Sequence, residues 1–167
     1  MDEQELYMAL LTVYENNFRG LHWKLSGHNF NNNHTRFSEY YEQLGTYLDE
    51  TAEQMIIQGK TPVSSSRALD ILNQDNISAI LIDMSLDYTG DEANRAAAMM
   101  FEQLHGHALS LATSDSIPAD TADVYMDHAK YYSIEGKYKL ARALQIKAEQ
   151  SPATPAPGVT EEPMNEE

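Results

Sequence analysis

The chain reads as an all-α protein, one bundle of four long helices with a long connection between the second and the third. Three observations carry that reading. Apolar residues recur at steps of three and four in four separate stretches, strand-like alternation is almost absent, and 167 residues with 42% hydrophobic side chains make one domain able to bury a core.

The first helix is expected from Glu3 to about Leu25, where Leu6, Leu10, Val13, Asn17, Leu21 and Leu25 form a single apolar stripe. It breaks at Ser26-Gly27-His28-Asn29, a run whose glycine and asparagines favour left-handed and capping conformations. The second runs from about Asn31 to Gln58 with Phe37, Tyr41, Leu44, Leu48, Thr51 and Met55 on one face, and Gly59 stops it. A short helix over Ser66 to Leu72 sits in the connection that follows. The stretch Asn73 to Tyr88 is β-branched, but a lone strand would have no partner, so no strand is expected there. Thr89 opens the third helix, with Ala93, Ala97, Met100, Leu104, Ala108 and Leu111 inward. Pro118 begins the fourth, which is expected to reach about Glu149 through Val124, Tyr131, Ile134, Tyr138, Ala141 and Leu144. The bundle thus occupies 1–149. The remainder, 150–167, is rich in proline and glutamate and is expected to be a disordered acidic tail.

Four helices with a long crossover carrying a short helix describe a ferritin-like bundle rather than a simple up-and-down one. The metal site of that fold usually lies in the bundle core and needs two Glu-x-x-His motifs. This chain has one, Glu102 to His105, so the core site is half missing.

Composition narrows the partners. Twenty-six acidic against eleven basic residues leave a net charge of −15, which repels a phosphate backbone or an anionic membrane surface and favours cations. There is no cysteine, so thiolate sites are excluded. The acidic opening Met1-Asp2-Glu3-Gln4-Glu5 is unlike a secretory signal, and no apolar run approaches the ~18 residues of a membrane span, so a cytoplasmic protein with no membrane partner is expected.

The stretch His22 to Glu53 carries the chemistry. His22 and His34 lie about one turn either side of the first break, so antiparallel helices would let the imidazoles face each other. Asp49 and Glu53 share a face of the second helix, since i and i+4 differ by only ~40°. Fifteen residues separate His34 from Asp49, about 22 Å of helix, so one chain cannot bring all four to one ion. A two-fold axis pairing second helices antiparallel would complete two equivalent sites per dimer. Mixed imidazole and carboxylate ligands with open positions suit Fe(II) that must meet an oxidant.

The pattern His-Trp-x(3)-Gly-x(2)-Phe-x(3)-His-x(14)-Asp-x(3)-Glu, read from His22, Trp23, Gly27, Phe30, His34, Asp49 and Glu53, resembles the Dps (DNA protection during starvation) mini-ferritins. The likeness extends over roughly residues 5 to 148, including Asp-Thr-Ala-Asp-Val-Tyr-Met-Asp-His-Ala at 120–129. The resemblance implies a hollow dodecamer built from two-fold dimers. It also implies a ferroxidase that oxidises Fe(II), preferably with hydrogen peroxide, and stores the Fe(III) product as mineral, protecting against oxidative damage. It assigns His22, His34, Asp49 and Glu53 as metal ligands and catalytic residues, Asp120, Asp123 and Asp127 as acids lining a cation pore, and Glu39, Glu42 and Glu50 as candidate nucleation sites. Glu39 is also a candidate metal ligand. One position departs from the family, where an acid usually stands four residues after the second histidine. Ser38 occupies it here. Trp23 is placed either to trap radicals or to pack an interface; His105, His107 and His128 read as core or interface residues, and His28 as a loop residue. Two competing readings are a nucleoid-binding cage with little ferroxidase activity and a structural cage with a degraded metal site.

Direct DNA binding is the family property least supported here, because no basic residue precedes Arg19 and none follows Lys147. Without a basic arm there is little counterion release to drive it. A gel-shift assay at moderate salt in EDTA is expected to show no retarded DNA; a clear shift would overturn this.

Overall fold

The computed structural model describes residues 2–150, with side chains to residue 145. Apart from Gln150, the Pro/Glu-rich tail at 150–167 lies outside the described residues. Helix α1 spans Glu3–Lys24, α2 Phe30–Ile57, α3 Ala68–Gln74, α4 Gly90–Ala112, α5 Ala119–Tyr132 and α6 Ala141–Gln150. A single 3-10 turn at Ser65–Arg67 leads into α3, and a π-helical stretch at Ser133–Leu140 joins α5 to α6.

Local chemistry sets these boundaries. Asp2 caps α1 by accepting from the Gln4 amide at 2.8 Å. Gly27 and Gly59 adopt φ of +83° and +73°, so each break falls where an L side chain would be strained. Thr89 and Glu92 form a capping box at the start of α4, each satisfying the other's backbone amide.

Connection lengths and pairings determine the topology. The joint between α1 and α2 is short, so the two run antiparallel and pack along their length. Residues 58–89 must then carry the chain back. Lys60 starts the return beside the N-terminus of α1, its Nζ 2.6 Å from Asp2 Oδ2. Next, α3 lies on α1. The return ends where Tyr88–Thr89 (β2) pair in parallel with Leu25–Ser26 (β1), beside the joint. Helix α4 therefore starts at the end where α1 finishes, and α5 runs back along α4. This is the ferritin-like order rather than the up-and-down one, as expected. The two-residue ladder was not expected. It is too short to alternate, whereas the β-branched stretch before it forms no strand.

Three faces differ from the expected stripes. Helix α1 is buried on nearly every side from Tyr7 to Tyr14, because α3 covers the face that would otherwise meet water. On the fourth rod, Ile134 and Tyr138 are 51% and 65% exposed. The inward face there is Thr121, Tyr125, His128, Tyr132, Glu135 and Leu140. On α2 the buried tyrosines are Tyr40 and Tyr47 rather than Tyr41.

The middle of the bundle is filled by rings. Phe18, Tyr40 and Phe101 have centroids 4.9 to 5.3 Å apart, with Phe37 beside them. Glu102 is exposed on the far side of α4, so the one Glu-x-x-His motif does not face the core. The π-helical stretch passes this layer with Gly136 against α4, where an added Cβ would sit 2.9 Å from Phe101 Cβ. Glu135, buried beside it, accepts from Lys139 Nζ at 2.6 Å and Tyr40 Oη at 3.4 Å. Gly136→Ala gains up to about 1 kcal/mol of helix propensity. It also forces overpacking against a Cβ that the Phe101 backbone holds in place, a cost of about 1 to 3 kcal/mol. The expected outcome is a lower denaturant midpoint at fixed protein concentration; an unchanged or raised midpoint would show that the contact is slack.

Candidate metal centre

His22 and His34 meet as the antiparallel pairing of α1 and α2 requires. Their ring centroids are 3.7 Å apart with planes at 35°. Phe30 lies 5.0 Å beyond His34, and Tyr41 stands edge-on 5.5 Å from His22, so the pair is clamped within a row of four rings. Arg19 lies 4.7 Å over the Tyr41 ring and pairs with Glu15. Both histidines are partly exposed. His22 Nδ1 lies 2.9 Å from the His34 carbonyl oxygen, to which it donates as N–H. That bond sets the tautomer and leaves Nε2 with a free lone pair, the arrangement a metal-binding imidazole uses.

Ser38 sits inside this arrangement. Its Oγ donates to the same His34 carbonyl at 3.0 Å and lies 3.4 Å from His22 Nδ1. The hydroxyl therefore buttresses the tautomer-setting bond and adds no charged ligand. Trp23, next to His22, is 65% exposed.

The carboxylates stand at the other end of α2. Asp49 and Glu53 are both exposed, one turn apart on the same face. Because α2 is helical without interruption from Phe30 to Ile57, the separation from His34 is maintained at about 22 Å. Among the described residues, no three His, Asp or Glu side chains are grouped to hold a metal within one chain.

Glu53 lines an open cavity of about 260 Å3 together with Tyr47, Glu50, Asp127 and His128. Glu50, a candidate nucleation site in the sequence, meets His128 Nε2 at 2.7 Å. His128 is almost wholly buried, and burial pushes its pKa down despite that carboxylate. Its other nitrogen, Nδ1, lies 2.9 Å from Tyr7 Oη, which is 2.7 Å from Tyr132 Oη. This buried network was not foreseen; its partners are 78 to 125 positions apart, and no local spacing signals them.

The three aspartates at the start of α5 are all exposed. Asp120 Oδ1 accepts from the adjacent Thr121 amide at 2.9 Å, and Asp127 pairs with Lys130 at 2.9 Å, which holds its carboxyl below the usual range. Glu39 lines a different groove with Glu135 and Lys139. His105 lies 3.4 Å from Lys137 Nζ and is partly exposed.

No family model matches the chain. A DNA protection during starvation protein from Listeria innocua serovar 6a is 33% identical over 58 residues, which is 35% of this chain and 37% of that relative's length. The fold is shared with solved structures. The antigen TpF1 of Treponema pallidum aligns with a TM-score of 0.74 at 20% identity, covering 86% of this chain and 89% of that one. The Dps of Staphylococcus aureus aligns at 0.71 and 20% identity, covering 85% and 92%. The fold and crossover define a ferritin-like four-helix bundle. Within that class, the curated relative that matches about a third of the chain is named a DNA protection during starvation protein, and the Staphylococcus aureus structure that shares the fold is a Dps.

With Ser38 turned to the His34 carbonyl, anaerobic calorimetry is expected to resolve one tight Fe(II) per site and a weaker second. Two equally tight irons per site would contradict this role for Ser38.

Proposed function

We propose that this chain is the subunit of a homo-oligomeric mini-ferritin cage that oxidises Fe(II) at sites shared between two copies and stores the ferric product as mineral. The observation that carries the reading is the pair of half-sites. The oriented imidazoles of His22 and His34 stand at one end of α2, and the carboxylates of Asp49 and Glu53 at the other, about 22 Å away. Neither half suffices to hold and oxidise an iron. A two-fold axis that places one copy's α2 antiparallel to another's brings the His pair of each to the acids of the other.

At such a site iron is the substrate. His22 Nε2 and His34 supply neutral donors, while Asp49 and Glu53 of the second copy supply negative charge that favours the ferric product. Reduction of one peroxide to two waters consumes two electrons, so two ferrous ions or one ion and another donor are needed. The exposed Asp120, Asp123 and Asp127 are the acids we assign to a cation entry route, consistent with a chain whose net charge of −15 draws cations. The same charge argues against the nucleoid-binding alternative.

Asp49→Ala is expected to slow peroxide-driven Fe(II) oxidation about tenfold or more, because even outer-shell partners of metal ligands are worth ~10 to 100-fold. Assembly is expected to persist in the variant. Native mass and iron content after Fe(II) and peroxide, measured for both proteins, provide the check; an unchanged rate would remove Asp49 from the site.

A further inference from the structure

Tyr7, His128 and Glu50 form a connected path from the dry interior to the cavity that Glu53 lines. Tyr7 is fully buried on α1, His128 almost so on α5, and Glu50 on α2 is 43% exposed at its side chain. The donors and acceptors along the path are consistent with a single assignment. Tyr132 Oη donates to Tyr7 Oη at 2.7 Å, Tyr7 Oη donates to His128 Nδ1 at 2.9 Å, and His128 Nε2–H donates to Glu50 Oε2 at 2.7 Å. Tyr47, which also lines the cavity, stacks on the His128 ring with centroids 3.8 Å apart and planes at 25°.

A one-electron-oxidised phenol is a strong acid and must lose its proton as the electron leaves. In a water-free interior this needs a neutral base already hydrogen-bonded to the hydroxyl. Among the described tyrosines, Tyr7 has a histidine nitrogen as its acceptor, and that histidine has a carboxylate on its far side to take a second proton. The groups facing His128 are Tyr7, Tyr47 and Tyr125 with the carboxylates Glu50 and Asp127; burial keeps the ring neutral and the Tyr7 phenol protonated.

We propose that Tyr7 is a built-in one-electron donor to the iron site, oxidised to a neutral tyrosyl radical when a single Fe(II) meets hydrogen peroxide. This rests on the ferroxidase reading above. In the step, Fe(II), Tyr7–OH, H2O2 and one solvent proton yield Fe(III), the Tyr7 phenoxyl radical and two waters. The O–O bond breaks, Fe(II) and Tyr7 each give one electron, and peroxide accepts both. The Tyr7 proton passes to His128 Nδ1 as the Nε2 proton passes to Glu50 and on to the cavity. The electron leaves across the His128 and Tyr47 stack. The consequence is that a site holding one tight iron reduces peroxide fully instead of releasing hydroxyl radical.

The test uses the assembled protein and the Tyr7→Phe variant, which retains the ring, with Tyr125→Phe as a control. At limiting Fe(II), peroxide is added and the sample is frozen for electron paramagnetic resonance, with Fe(II) loss and hydroxyl-radical spin-trap adduct measured in parallel. Wild type and Tyr125→Phe are expected to give a tyrosyl signal and little adduct. Tyr7→Phe is expected to lose the signal and accumulate the adduct. A second arm replaces iron and peroxide by a flash-generated ruthenium(III) oxidant, in which the tyrosyl signal should again depend on Tyr7. Iron oxidised normally with no signal, or with the same signal in Tyr7→Phe, overturns the donor while leaving the ferroxidase intact. Fe(II) lost no faster than without protein overturns the ferroxidase reading and the donor's role in it; the ruthenium arm then separately decides whether Tyr7 is oxidisable, and no Tyr7-dependent signal there removes it entirely.

Discussion

The uninterrupted course of α2 is the constraint on which the site depends. A 28-residue helix is a rod with a set rise, so His34 and the Asp49–Glu53 pair stay a bundle length apart whatever the side chains do. The rest of the chain is arranged around that rod. Helix α1 lies antiparallel to it and delivers His22 to His34. The crossover then spends its length returning to the same joint, where Tyr88–Thr89 pair with Leu25–Ser26. The centre, where related architectures place metal, is filled by Phe18, Phe37, Tyr40 and Phe101. The candidate ligands stand at the rod's two ends instead of in the core.

The charge of the molecule fits the same division. Carboxylates crowd the Glu53 end, where Glu50, Glu53 and Asp127 share one cavity. The histidine end is instead aromatic, with Phe30 and Tyr41 flanking the imidazoles and Arg19 near by. Two copies set head to tail would therefore bring unlike ends together, neutral donors to charged ones.

Much of this was legible in the sequence for definite reasons. Metal ligation admits few residue types, and helical spacing is rigid, so His22, His34, Asp49 and Glu53 could be paired off by arithmetic. Thr89 and Glu92 mark their helix start by the same kind of local rule. On the fourth rod His128 was read as core or interface and is buried, but the stripe was drawn through Ile134 and Tyr138, whereas Tyr125, Tyr132 and Glu135, residue types that pattern reading does not assign firmly to a core, turn inward. Their burial depends on partners such as Tyr7 and Glu50, far away in sequence. The burial of α1 on nearly every side from Tyr7 to Tyr14 likewise depends on α3, whose docking place no periodicity in α1 reveals. The two-residue ladder is shorter than any alternation can be.

The clasp between Leu25–Ser26 and Tyr88–Thr89 makes the two ends of the bundle unequal in what chain length they tolerate. At that end, Gly90 sits so close to the buried Asn33 side chain, next to His34, that a Cβ there would collide with it. An extra residue in either clasped segment would shift the ladder register and push the start of α4 against the helix that holds the second imidazole. The turn at 113–118, at the opposite end, has no such ladder; it is held by short hydrogen bonds within itself and to the end of α4, and by Ile117 against the core. Extra residues inserted there would carry a small entropic cost, growing only with the logarithm of loop size.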